Sequence, residues 1–118
     1  KRMILKRKMF RLYRELLSKV SCVNFIETDL DKITPWMVDI LVDSKRKRDS
    51  VIKHLEKNSV ESRIFYPPIH RLSPYQNKDV KFKITSEISD KGLWLPSSVN
   101  LKENQINFIC NHIKNFFK

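Results

Sequence analysis

Glycine is almost absent from this sequence, and that absence excludes two common ways of binding nucleotides. The chain of 118 residues has one glycine, Gly92. Phosphate-binding loops and Rossmann turns both need several glycines within a short stretch, so neither signature is present. Cysteine is also scarce, because Cys22 and Cys110 are the only two and have no CxxC spacing. With no signal peptide visible, we expect two reduced thiols and a cytoplasmic protein.

Long apolar runs are missing too, whereas apolar residues as such are plentiful. No run approaches the ~18 residues that a transmembrane helix needs. Hydrophobic residues nevertheless make up 41% of the chain and include seven Phe and two Trp. A chain of this length fits one domain, with enough apolar surface for a core that needs neither a metal nor a disulfide.

Positive charge is the strongest bulk feature, with a formal net charge of +11. Such a surplus suggests binding to nucleic acid or to another anionic surface. Most of the surplus is lysine, however, which supplies charge without the bidentate geometry of arginine. An RNP-like aromatic motif, zinc-finger spacing and a glycine-bearing helix-turn-helix corner are all missing. A nucleic-acid-binding module acting through Lys1–Lys19 and Lys45–Arg48 is therefore an alternative that the sequence does not favour.

The apolar periodicity predicts an α/β fold, in which a small sheet of about three to four strands packs against helices. The predicted order of elements is α-β-α-β-loop-α-β-α, in a single domain over residues 1–118. Trp36–Val42 is apolar on both faces apart from Asp39, so we expect a central strand there. Further strands are predicted at Val60–Tyr66, at an edge segment Val80–Ile84 and at Leu93–Leu95. Helices are predicted at Lys1–Lys19, from Asp43 or Ser44 to Asn58, from Thr85 to Ile88, and from Asn100 onward.

Two of these helices carry runs of cations. In Lys1–Lys19 the repeat of Leu5, Met9, Leu12 and Leu16, widened by Tyr13 and Leu17, predicts a buried stripe, with the cations left in solvent. A membrane or RNA surface is the other reading of so basic a helix. The four cations of Lys45–Arg48 oppose the helix dipole. They either meet an anionic group or are tolerated by solvent, and we favour tolerance.

The ends and faces of the helices have their own signals. Asn58 is predicted to supply the left-handed residue that ends the second helix. Asn100 and Glu103 have the spacing of a capping box at the start of the last helix. One face of that helix is predicted to be buried, and it carries Ile106, Ile109, Cys110, Ile113 and Phe117.

The segment Val60–Tyr75 has the features of a ligand-binding loop. A predicted strand ends at Pro67-Pro68, because proline lacks the N–H that a strand ladder needs. The irregular run that follows carries His70, Arg71 and Tyr75. A rigid scaffold presents side chains to ligands in this way, although a stiff turn that plugs the edge of the core gives the same pattern.

Complete catalytic or metal sites are not indicated by the sequence. Cys110 and His112 lie two positions apart on a helix and so point to different faces. His54 lies on a charged helix surface, and no Ser/His/Asp or Cys/His arrangement has a local signature. His70 is the one histidine that shares a loop with other candidate ligand-binding groups. We therefore predict no catalytic residue and no metal ligand.

Several motifs, taken together and in order, resemble the C-terminal small domain of DegT/StrS-type sugar aminotransferases. The matching segments are TPWMVDILVD, VESRIFYPPIH, ISDKGLWLPSSVNL and the closing amphipathic helix. The perosamine-synthase-like branch of this fold-type-I family is the most similar. The resemblance extends over nearly the whole chain, including the basic helix Lys1–Lys19.

The resemblance implies a function for a longer protein. Members of the family use pyridoxal phosphate (PLP) to transfer an amino group from glutamate to a keto group on a nucleotide-linked sugar, and they act as homodimers. The Schiff-base lysine, the carboxylate that holds the pyridinium nitrogen and the phosphate-binding groups belong to a large N-terminal domain. No lysine of this chain matches the family's Schiff-base lysine. We therefore expect a C-terminal piece that binds no cofactor and is inactive alone.

Four residues match the family's substrate region. Tyr66, His70 and Tyr75 match a segment near the mouth of the active site, where the sugar nucleotide approaches. Arg63 matches an arginine at the end of a strand, where its fork could hold a carboxylate or phosphate; a buried ion pair with a helix carboxylate is the equal alternative. A second alternative for the whole chain is an interaction domain without chemistry of its own.

Overall fold

The computed structural model describes residues 1–76 and 79–118. Its elements confirm the predicted α/β class. Helices are α1 (Arg2–Leu17), α2 (Lys45–Lys57), α3 (Lys83–Lys91) and α4 (Glu103–Phe116), strands are β1 (Val23–Asn24), β2 (Val38–Val42), β3 (Arg63–Ile64) and β4 (Gly92–Leu95), and short 3-10 turns cover Ile69–Arg71 and Asp79–Phe82.

The four strands form one antiparallel sheet in the order β1-β2-β4-β3. Strand β2 therefore has a partner on both sides, which confirms the prediction of a central strand. Val38 lies opposite Leu95 and Ile40 lies opposite Leu93. Because alternate residues of a strand point to opposite faces, these four define the buried face of the sheet, and Asp39 and its partner Trp94 lie on the other face.

The helices contribute their apolar sides to a single core that includes this buried face. Tyr13 of α1 is fully buried, and its hydroxyl donates to the carbonyl of Pro96 at 3.0 Å. Burial raises the pKa of the Cys110 thiol to about 12, which keeps it protonated and unreactive at neutral pH. The fully buried side chains are Tyr13, Phe10, Leu17, Ile40, Leu55, Leu93, Leu95, Ile113, Val42, Val51 and Cys110.

Polar groups of α1 tie that helix to two loops beside the sheet. The ammonium of Lys6 donates to the carbonyls of Trp36 and Ser97. Burial lowers the pKa of Lys6. Arg7 Nε donates to the hydroxyl of Thr34 at 3.2 Å. Part of the basic surface of α1 is therefore used inside the domain, as expected of a helix that packs on a sheet.

The last helix has the buried face that its spacing predicted. Ile106, Ile109, Cys110 and Ile113 are buried, and Phe117 is only partly buried at the end of the helix. The start differs from the prediction. Lys102 is the N-cap, and Gln105 Oε1 accepts from its backbone N–H at 2.9 Å, so the capping box lies two residues after the predicted Asn100–Glu103 pair.

The predicted stripe of the first helix is confirmed at Met9, Tyr13 and Leu17 and is wrong at Leu5, which is exposed. Leu12 and Leu16 are only partly buried. Phe10, which the leucine spacing did not indicate, is fully buried. The aromatic rings of Phe10 and Tyr13 bring more area into the core, so the buried side of the helix is centred on them.

The predicted edge strand Val80–Ile84 is wrong. The backbone forms a 3-10 turn at Asp79–Phe82 and continues into α3 from Lys83, so the helix is longer than the predicted Thr85–Ile88. Gly92 ends α3 as its C-cap and is also the first residue of β4. The side chain of Val80 lies outside the described part of the chain. Ile84 is exposed, and the ring of Phe82 stacks on His70 at 4.8 Å between centroids. That contact is long-range in sequence, and a local alternation with lysine does not predict it.

Other boundaries differ on a smaller scale. The predicted strand Val60–Tyr66 keeps ladder pairing only at Arg63–Ile64. Strand β1 was not predicted because two residues are too few to show a period. Ser44 caps α2 as predicted, its hydroxyl accepting from Lys47 N–H at 3.2 Å. Asn58 is not left-handed; Ser59 is, with φ at 60°.

No helix among the described residues is both long and apolar enough to cross a membrane.

Candidate functional site

The proline loop, defined here as residues 65–75, leaves the sheet at the end of β3. Its first side chains surround Trp94 of β4: the ring of Phe65 lies 5.2 Å from that of Trp94, and the ring of Tyr66 meets it edge-on at 4.8 Å. Phe65 also lies over Gly92, where an added Cβ would come within 2.2 Å of its ring. Gly92 is thus needed for a close approach that brings the loop onto the open face of the sheet.

Helix α3 anchors the middle of the proline loop. His70 is 7% exposed, and its Nε2 lies 2.9 Å from the hydroxyl of Ser86. Phe82, just before α3, stacks on the same imidazole with an interplanar angle of 24°. His70 therefore anchors the loop to α3 through these two contacts, and it also lines the cavity described below.

The next residue along the chain, Arg71, joins the loop to α3 a second time. Arg71 Nη1 donates to Asp90 Oδ1 at 2.7 Å, and Nη2 donates to Oδ2 at 3.3 Å. This two-pronged bond to Arg71 lowers the pKa of the Asp90 carboxyl. A third tie joins Ser89 to the loop, because its hydroxyl donates to the carbonyl of Tyr66 at 3.1 Å.

A cavity of about 490 Å³ opens between the loop and α3. This volume lies in the range of small-ligand pockets. Tyr75 and Tyr66 are 65% and 70% exposed, so both present a ring and a hydroxyl to the outside. A ring of this kind can stack on a sugar or a base while its hydroxyl forms a hydrogen bond. The cavity is lined by Pro67, Pro68, Ile69, His70, Tyr75, Phe82 and Thr85.

Arg63 stands apart from that cavity. It lies opposite Trp94 in the sheet register, and its exposed guanidinium donates from Nε and Nη2 to Glu61 Oε1, at 3.0 and 2.7 Å. The alternative of a buried pair with a helix carboxylate is therefore wrong, because the partner precedes β3 and the pair is in solvent. Arg63 and Trp94 instead line a second, larger groove of about 760 Å³ that reaches Phe108 on α4.

The four predicted site residues are thus divided between two places. His70 and Tyr75 line one cavity, Arg63 lines the other, and Tyr66 stands between them against the ring of Trp94. Their role in substrate binding stays a prediction. Among the described residues, no group of three or more His, Cys, Asp or Glu is placed to hold a metal.

Residues of α3 that support the loop were missed by the sequence reading. Ser86, Ser89 and Asp90 have i, i+3, i+4 spacing and so lie on one side of a helix. That spacing was available as a signal, but it was hidden by the prediction of an edge strand and a brief helix there. Asp39 was seen only as an interruption of β2. On the open face beside Trp94, partial burial raises the pKa of its carboxyl.

Arg48 was also placed wrongly from the sequence, which indicated that all four cations of Lys45–Arg48 lie in solvent. Its three neighbours Lys45, Arg46 and Lys47 are exposed, as expected of cations tolerated by solvent, but Arg48 is 5% exposed. Its Nε and Nη2 donate to Asp49 Oδ1 at 3.0 and 2.8 Å, and its Nη1 donates to the carbonyl of Ser89 at 3.0 Å.

Comparisons with known proteins agree on one family. The model of the DegT/DnrJ/EryC1/StrS aminotransferase family matches residues 1–114. The chain is 33% identical over 116 residues to GDP-perosamine synthase of Vibrio cholerae, covering 95% of this chain and 32% of that protein. It is 29% identical over 112 residues to GDP-perosamine synthase of Escherichia coli O157:H7, covering 95% and 30%. The chain thus spans about a third of the length of these curated relatives.

Solved structures show the same fold. DesV of S. venezuelae, solved in complex with a ketimine intermediate, superposes with a TM-score of 0.85 at 17% identity, over 96% of this chain and 31% of that one. A DegT DnrJ EryC1 StrS aminotransferase from Brucella abortus gives a TM-score of 0.78 at 23% identity, over 98% and 31%.

Proposed function

Because the chain belongs to the DegT/DnrJ/EryC1/StrS aminotransferase family, we propose that it forms the C-terminal small domain of a PLP-dependent sugar-nucleotide aminotransferase. The whole protein would move an amino group from glutamate to a keto group on a nucleotide-linked sugar. The observation that carries this proposal is the match of the family model along nearly the entire chain. The proline loop, which holds two exposed tyrosines beside a small-ligand cavity, supports it.

The nucleotide of the proposed substrate is a guanosine diphosphate. Both curated relatives are named for the synthesis of GDP-perosamine. The matched region includes the proline loop, whose side chains we propose to contact the sugar. We therefore propose a GDP-linked keto sugar as the amino acceptor of the whole protein, acting in the cytoplasm as a homodimer.

We propose that this chain does not hold the coenzyme itself. A PLP site needs a lysine for the imine and a carboxylate at the pyridinium nitrogen. Among the residues that the structure describes, no lysine lines the cavity at the proline loop or the groove beside Trp94. Among the described lysines, Lys47 pairs with Asp43 and Lys6 is held by backbone carbonyls. We therefore propose that the coenzyme is held by the rest of the protein and that this chain alone is inactive.

What this chain contributes, in our proposal, is one wall of the substrate pocket. Tyr66 and Tyr75 would contact the sugar nucleotide with their exposed rings and hydroxyls. His70, bonded to Ser86 and stacked on Phe82, would close the wall between them. Arg63, beyond Trp94, would meet a phosphate by exchanging its solvent-exposed bond to Glu61 for one to the ligand.

The net charge of +11 is the observation that favours a nucleic-acid-binding role, and internal bonds of two arginines weaken it. Buried Arg48 pairs with Asp49, and Arg7 donates to Thr34. Phosphate recognition depends on such side chains being available, so the net charge overstates the basic surface that is free to bind.

The experiment that tests the proposal uses the whole protein. It is purified with PLP and incubated with glutamate and a GDP-linked keto sugar, and both 2-oxoglutarate and the amino sugar are measured. We expect both products in equal amounts, with none when glutamate or PLP is omitted. The same assay with UDP- and dTDP-linked keto sugars tests the choice of nucleotide. Absence of amination with all three sugars would contradict the proposed activity.

His70→Ala is expected to impair use of the sugar nucleotide in the whole protein. The substitution removes the bond to Ser86 and the stacking on Phe82, so the cavity wall loses its support. We expect the KM for the nucleotide sugar to rise about five- to thirtyfold, because binding must then order a cavity wall that has lost one hydrogen bond and one ring contact. The domain should stay folded, with a lower melting temperature. His112→Ala, on α4 and outside the cavity, is the matched control, and an unchanged KM in a folded His70→Ala variant would remove His70 from the site.

A further inference from the structure

Tyr66 stands at the end of a chain of hydrogen bonds that begins in the interior of the domain. The guanidinium of Arg48, at the start of α2, donates from Nη1 to the carbonyl of Ser89 at 3.0 Å. The hydroxyl of Ser89 in turn donates to the carbonyl of Tyr66 at 3.1 Å. Two bonds therefore connect a buried cation of α2 to the backbone of the proline loop by way of α3.

The first member of this chain is held rigidly. Arg48 also donates from Nε and Nη2 to the same carboxylate oxygen of Asp49. A guanidinium that donates from three nitrogens in a buried site has little rotational freedom. A buried cation in the first turn of a helix opposes the helix dipole, so it needs compensation. The carbonyl of Ser89 and the carboxylate of Asp49 supply that compensation.

Tyr66, the last residue in this chain of hydrogen bonds, has few other described bonds that hold its backbone in place. The sheet ladder beside it ends early, because Phe65 N–H donates to the carbonyl of Gly92 at 3.3 Å and the next two residues are Pro67 and Pro68, which have no N–H. Farther along, His70 and Arg71 are tied to Ser86 and Asp90. Between these points, the described bond to the backbone of Tyr66 comes from Ser89.

We propose that Ser89, oriented by Arg48, is a positioning residue that sets where Tyr66 stands in the sugar-nucleotide pocket. The inference rests on the proposed function of the proline loop. Ser89 contacts the loop by its hydroxyl and does not line the cavity, so it acts through Tyr66. Loss of the hydroxyl frees the backbone of Tyr66 and makes its edge-on contact with Trp94 less frequent.

Ser89→Ala in the whole protein is the direct test. We expect the KM for the nucleotide sugar to rise about two- to tenfold, which is what the loss of one hydrogen bond gives, while the KM for glutamate stays unchanged. Ser89→Thr keeps a hydroxyl at the same place and should restore most of the lost affinity. Ser50→Ala, an exposed serine on α2, is the matched control and should behave as the unmodified protein.

A second readout does not depend on activity. Hydrogen exchange followed by mass spectrometry should show faster exchange in the peptide that contains the proline loop in Ser89→Ala, and ordinary rates in Ser89→Thr and Ser50→Ala. Equal exchange and equal KM in Ser89→Ala and the unmodified protein would overturn the inference. If the unmodified protein aminated no nucleotide sugar, the proposed function would fail, and the exchange rates would still decide whether Ser89 positions Tyr66.

Discussion

Replacing Ile109 with aspartate is expected to prevent the chain from folding. Ile109 is 4% exposed and belongs to the core cluster, where an aspartate would be an unpaired charge. Burying such a group costs more than about 4 kcal/mol, and whole domains have only about 5–15 kcal/mol of stability. We expect little soluble protein and no cooperative thermal transition in circular dichroism.

Asn111→Asp is the matched control for Ile109→Asp. It adds the same carboxylate to the same helix two positions later, on an exposed side chain. Its free energy of unfolding should stay within about 0.5 kcal/mol of the unmodified chain. A soluble Ile109→Asp variant with a normal melting transition would show that α4 does not pack in the described register.

Gly92→Ala is expected to lower the free energy of unfolding by about 1–3 kcal/mol. The backbone at Gly92 has φ of −88°, which any residue adopts, so the cost comes from space alone. The added Cβ would lie 2.2 Å from two carbons of the Phe65 ring and 2.6 Å from its Cγ. Because Cγ lies on the axis about which the ring rotates, only a change of χ1 that displaces the whole ring can relieve this contact, so Phe65 must leave its contact with Trp94. Urea denaturation of the variant measures the loss.

A double-mutant cycle with Phe65→Ala separates this cause from a general effect on β4. The three atoms nearest to the added Cβ all belong to that ring, so its closest contacts disappear when the ring is absent. The cost of Gly92→Ala should then fall to near zero, which gives a coupling energy of about 1–2 kcal/mol between the two positions. Strictly additive losses would show that Phe65 is not what requires a glycine at this place.

The sequence predicted those parts of the fold in which apolar residues recur along a long helix or fill a continuous strand, because both patterns indicate which residues are buried. The apolar repeat of α4 and the continuous apolar run of β2 both lead to their observed places. Strand β1 has only two residues, which carry no period, and it owes its existence to its pairing with β2. Strand β3 lies within the predicted strand Val60–Tyr66, but its pairing with β4 is limited to Arg63–Ile64. The segment before α3 was misread because lysine alternates with apolar residues equally well on an exposed helix surface.

The loop that carries the candidate site was predicted in part for a comparable reason, and the role of its residues stays a prediction. The double proline marked the loop, where His70 and Tyr75 line one cavity and Tyr66 lies against the ring of Trp94. The groups that hold the loop in place were not found. Arg48 lies in a run of cations that looks solvated, and its burial depends on a carbonyl of Ser89 that is remote in sequence. The family came from the resemblance of whole motifs, which the comparison confirms.

The pairing of β2 with β4 has a consequence for how the chain folds. Val38 finds its partner at Leu95, almost half the chain away, and the two outer strands are too short to persist without this central ladder. Closing so large a loop lowers the entropy of the chain, so it tends to slow the rate-limiting step of folding. On the ribosome, the middle of the sheet cannot form until Leu95 has emerged.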